Sequence, residues 1–158
     1  MNIRSKNLTS AAVFLAMAVL LPMLAHAVGL GAAFLPMFWP VAAAIFFLPL
    51  SHVMLVAFLA PLVSSLLTGM PPVSPPILQV MMVELVVMVV VGSLMYRRLK
   101  MGVLWALILG LLASRAVLFV MVGWLATLLG LPETLASVAW VIRGVPGLLI
   151  MLVLIPIL

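Results

Sequence analysis

"PPILQVMMVELVVMVVVGSLMYRRLK" (residues 75–100) carries one acid, Glu84, in an apolar run that ends only at Tyr96 and the basic residues Arg97, Arg98 and Lys100. An α-helix rises about 1.5 Å per residue, so roughly 20 apolar residues cross the hydrocarbon of a bilayer. The stretch therefore predicts a membrane-spanning helix with a carboxylate inside it. The rest of the chain agrees: 69% of its 158 residues are hydrophobic, and seven basic and two acidic residues serve the whole molecule. So few charges cannot clothe a soluble domain, and an integral membrane protein follows, expected as a single transmembrane domain over residues 1–158.

Polar breaks divide the chain into six apolar stretches, residues 8–29, 34–48, 51–68, 76–96, 103–129 and 134–158. They predict an all-α, polytopic bundle of six transmembrane helices. The second and third are short and hold Pro36, Pro40, Pro49 and Pro61, where tilts or kinks are expected. If those two were one bent segment the count would be five. Charge placement favours six, because Arg4 and Lys6 then share a side with Arg97, Arg98 and Lys100. By the positive-inside rule that side, with both termini, is cytoplasmic. Topology also accounts for the net charge of +5 without a nucleic-acid partner.

The N-terminal segment has a basic start, an apolar core and an Ala25-His26-Ala27 end, the shape of a cleavable signal. Its removal would put the Arg97–Lys100 cluster on the wrong side, so a retained helix is expected. Ala12 and Ala16 on that helix are small residues four apart, a spacing that lets another helix approach closely, from a partner or from the same bundle.

Glu84, Arg115 and Arg143 fall inside the fourth, fifth and sixth helices. A charge facing lipid costs at least about 2.5–3.5 kcal/mol, so all three should face the bundle interior, a partner or a cavity. Arginine does not shed its proton, and one glutamate balances only one of two. Either the acid and an arginine merely fix helix packing, or the group lines a pocket whose spare positive charge meets an anionic or polar ligand. Trp140, one turn before Arg143, offers a stacking face. Pro146, between Gly144 and Gly147, is expected to unwind the sixth helix and free carbonyls toward a cavity.

Residues 66–76, "LLTGMPPVSPP", read as a stiff external cap, and residues 27–40, "AVGLGAAFLPMFWP", as a lid or an interfacial aromatic belt. His26 and His52 receive no role. Cysteine is absent and the acids and histidines are scattered, so no metal or cofactor is expected. Ser64, Ser65, Ser93 and Ser114 have no base near them in sequence, which argues against an enzyme. No Gly-x-x-x-x-Gly-Lys loop is present, so ATP-driven work would belong to partners.

The succession "LPMFWPVAAAIFFLPLSHVMLVAFLAPLVSSLLTGMPP", "ELVVMVVVGSLMYRR", "LLASRAVLFV" and "IRGVPGLLIMLVLIPIL" resembles the substrate-binding S components of energy-coupling factor (ECF) transporters over nearly the whole chain. The resemblance implies a six-helix protein that takes a small vitamin or vitamin precursor from outside. It would deliver it by toppling in the membrane, with a scaffold subunit and two ATPases. It further implies that Ala12 and Ala16 contact the scaffold, and that Glu84, Arg115, Trp140 and Arg143 fall where ligand contacts are made. Met151 stands where many members carry glutamine, and the ligand stays open among pantothenate-like, pyrimidine, thiamine-related and deazapurine compounds. The other reading is a structural or assembly subunit of a different membrane complex with no ligand of its own.

Overall fold

A computed structural model describes residues 2–27, 29, 31–74, 76–129 and 144–157, and every regular element among the described residues is helical. The order is α1 (Ile3–Ala27), α2 (Gly31–Phe34), α3 (Phe38–Phe47), α4 (Leu50–Thr68) and α5 (Ile77–Ser93). A π-helical turn (Leu94–Arg98) extends α5, and α6 (Val103–Leu129) and α7 (Val145–Leu154) follow, the last closing in a 3-10 turn (Ile155–Ile157). α1, α4, α5 with its π turn, and α6 are long and apolar enough to cross a membrane.

The second expected span is shorter than its apolar run. Residues 31–34 form the separate α2, and α3 holds ten residues, about 15 Å against the ~30 Å of bilayer hydrocarbon. Prolines set its limits. Pro40 lies in the first turn, where no intrahelical N–H is needed, and Leu48 is extended (φ −116, ψ 150) as the residue before Pro49 must be to avoid that ring.

α3 and α4 are two helices rather than one bent segment. Arg97, at the end of α5, reaches the last carbonyls of α3, so these helices end at the same level. α4 begins there and packs along α5 and α1 back to the 69–76 connection from which α5 starts. This hairpin is the arrangement that the six-helix reading requires.

The cap at 66–76 is shorter than expected, because α4 continues to Thr68. Gly69 ends it in the left-handed conformation (φ 72), its N–H bonded to Ser65 O at 2.8 Å. Ser64 Oγ donates to Met70 O at 2.8 Å and Leu78 N to Pro72 O at 3.0 Å, which knits the connection to both flanking helices.

The core runs along α3. Val41, Ala42, Ala44 and Ile45 share one buried cluster with Val53 and Ala57 of α4, Leu85 and Met88 of α5, Leu107 of α6 and Met151 of α7. Among the described helices, α5 and α6 make the most extensive contact, at a crossing of Gly92 on Gly110. A Cβ on Gly110 would stand 3.0 Å from Met88 O and 3.4 Å from the Gly92 Cα, tighter than most Cβ contacts, so glycine favours this close approach. Large apolar side chains such as Leu20, Leu112, Phe119 and Val153 stay exposed, as they would toward lipid.

Candidate functional site

Glu84 sits two turns into α5 on its inward face and is 4% exposed. Its Oε1 pairs with Nη2 of Arg115 on α6. The Arg115 guanidinium carbon lies 4.9 Å over the centre of the Phe38 ring, at the first residue of α3. Three helices thus converge on one buried ion pair. Phe38, itself 1% exposed, offers the negative face of its ring to the cation, an attraction that strengthens where water is excluded. The Arg115 Nε is buried and has no hydrogen-bond partner among the described residues. A guanidinium donates only in its own plane, and here one face is covered by Phe38. The group can still donate to a flat oxygen acceptor such as a carboxylate or carbonyl. Ser114 beside it is no part of this, because its Oγ returns to Leu111 O at 2.8 Å.

The connection from α1 to α3 packs against the start of α7. Trp39 Nε1 donates to Phe34 O at 2.7 Å, and that carbonyl stands where a Cβ on Gly147 would be. The Leu35 side chain occupies the corresponding place at Gly144, with Leu35 itself at φ 48. The two glycines of "GVPG" are therefore sites of close approach for this loop. The expected unwinding at Pro146 takes a different form: α7 starts at Val145, so Pro146 lies in a first turn, where its missing N–H costs nothing. His26, given no role from sequence, lays its ring over Gly31.

Of the expected site residues, Glu84 and Arg115 are brought together, whereas Trp140 and Arg143 lie outside the described residues. Ala12 and Ala16 are exposed on α1, while Ala11, Ala18 and Pro22 form its buried side. Phe38 and Trp39 were expected only as part of the 27–40 lid or aromatic belt, and neither their contacts nor the loop contacts of Gly144 and Gly147 were foreseen. The aromatic pair after Pro36 had a ready explanation as an interfacial belt, and nothing in sequence spacing ties residue 38 to residue 115.

The family model described as "ECF transporter, substrate-specific component" matches residues 6–158. No curated protein and no solved structure matches the chain.

Proposed function

The chain belongs to the substrate-specific components of ECF transporters, and from that premise we propose that it captures a small water-soluble vitamin or vitamin precursor at the Glu84–Arg115–Phe38 cluster. Membership implies a scaffold and ATPase partners in a membrane complex. In the proposed cycle the ligand enters from outside, the 27–40 loop covers it, and the scaffold with two ATPases drives its release inward. The observation that supports this reading best is the Arg115 guanidinium: largely buried, its carbon over the Phe38 ring, paired on one side with Glu84, and with its Nε unpartnered among the described residues. Such a group recognises an acceptor on a ligand, and Glu84 accepts from a ligand N–H or keeps the cluster near neutral. Trp140 and Arg143 are proposed as further ligand contacts.

Ala12 and Ala16 are proposed to meet the scaffold, in keeping with their exposure on α1. Arg4, Lys6, Arg97, Arg98 and Lys100 are assigned to the cytoplasmic side of a bacterial or archaeal plasma membrane. The test is thermal unfolding of the purified solitary protein against a panel of water-soluble vitamins and their precursors. A compound present at 100 times its Kd stabilises by about 2.7 kcal/mol, which a melting curve resolves. One compound class should raise Tm. A flat response across the panel would favour the assembly-subunit reading.

A further inference from the structure

Arg97 belongs to the basic cluster that topology alone would explain, yet its guanidinium points back into the protein. Nη2 donates to Ile45 O at 3.0 Å and to Leu48 O, the closing carbonyls of α3. The reason is chemical. In a continuing helix Ile45 O would accept from the N–H of residue 49, and residue 49 is proline, which has none. Ile45 is fully buried, and a buried carbonyl left without a donor is costly. Arg97 supplies from α5 the donor that Pro49 withholds.

Two further contacts seat the same turn of α3. Phe46 meets Tyr96 edge to face at 5.0 Å, and a Cβ on Gly92 would stand 3.0 Å from Ile45 Cδ1. At the other end of α3, Phe38 lies under Arg115 and Trp39 holds the Phe34 carbonyl. Every residue from Pro40 to Ile45 between these ends is buried. α3 is therefore a packed rod of about 15 Å, attached at one end to Arg97 and at the other to the candidate site.

We propose that Arg97 is a positioning residue for the ligand-holding end of the bundle and acts through α3. By fixing the last turn of that helix it fixes where Phe38 meets Arg115 and where Trp39 meets the 27–40 loop. The functional meaning rests on the site proposed above. The test uses no ligand, so its failure is distinguishable from failure of that reading.

With Trp105, Trp124 and Trp140 replaced by phenylalanine, Trp39 becomes the only tryptophan, and acrylamide quenching reports on the outer end of α3. Arg97→Met should raise the Trp39 quenching constant by about twofold or more, since loosening one end frees the other. Arg97→Lys, which keeps a donor, should fall between that and the parent. Arg98→Met, at the adjacent basic residue, should leave it unchanged. A companion protein retaining Trp105 alone should show no response to Arg97→Met, which separates a local release from unfolding. Should Arg97→Met fail to fold, Arg97→Lys carries the test, with a smaller rise expected at Trp39 and none at Trp105. Unchanged Trp39 quenching in a folded Arg97 variant overturns the proposal, as does an equal rise in Arg98→Met or at Trp105.

Discussion

Glu84 of α5 and Arg115 of α6 form an ion pair, and the guanidinium carbon of Arg115 lies 4.9 Å over the centre of the Phe38 ring. This is why a carboxylate can stand in a spanning helix: each charge removes much of the other's cost in an apolar surrounding. Stability alone does not account for it. Buried ion pairs are often replaced by apolar residues at no loss, because desolvating both partners offsets their attraction. The proposed binding role makes use of the arginine Nε that has no partner among the described residues.

That distinction is measurable. Arg115→Met strands the Glu84 carboxylate and should lower stability by about 3–5 kcal/mol, and the double variant Glu84→Gln/Arg115→Met should recover most of it. Ligand binding should behave differently, falling about ten- to a hundredfold, or roughly 1.5–3 kcal/mol, in Arg115→Met and remaining low in the double variant. A double variant that regains both would make the pair a packing device.

At Gly147 a methyl group would land on the Phe34 carbonyl, whereas at Gly102 it would meet nothing within 4 Å. Gly147→Ala should displace the 27–40 loop and cost about 1–3 kcal/mol, while Gly102→Ala stays within about 0.5 kcal/mol of the parent. Ligand dissociation should quicken only in the first. Equal rates in both would detach this loop from ligand retention.

Two neighbouring alanines on α1 should part company. Ala11 is buried and Ala12 is exposed. Ala11→Leu overpacks the bundle and should lower stability by about 1–3 kcal/mol. Ala12→Leu or Ala16→Leu should leave melting and ligand affinity intact but weaken co-purification with the scaffold and ATPases. Loss of stability in Ala12→Leu would place that residue in internal packing.

Arg97 and Pro49 should be coupled. Pro49→Ala returns an N–H to the position that Ile45 O would use. Arg97→Met should therefore cost about 1–3 kcal/mol beside proline and measurably less beside alanine, with a coupling of at least about 0.5 kcal/mol in a double-mutant cycle. Additive losses would mean that Arg97 does not substitute for the missing donor.

The helical bundle was legible in the sequence because lipid imposes simple rules on composition and on long apolar runs. That Glu84 would meet an arginine was legible for the same reason, as a charge in hydrocarbon must find a partner, but the sequence left Arg115 and Arg143 equally open and the fold supplies Arg115. What escaped depends on distance in the chain. Arg97 bonds carbonyls 49 and 52 residues away, and the positive-inside rule already explained its charge. Its only sequence signal was Pro49, which announces an unpaired carbonyl without saying what pairs it. Gly144 and Gly147 pointed to an irregular backbone, but the same residues also serve close packing, and Leu35 and Phe34 decide between the two. The length of α3 was overestimated because hydropathy cannot see that residues 35–37 are a turn before the helix starts.

The most direct measurement of the central claim is mass spectrometry of the small molecules that leave the detergent-purified protein on denaturation, comparing the parent with Arg115→Met at matched folded amounts. A single water-soluble compound bearing a carboxylate or carbonyl acceptor should be released by the parent, with about a tenfold or greater deficit in Arg115→Met. The same compound in equal amount from both proteins would contradict a ligand held by Arg115.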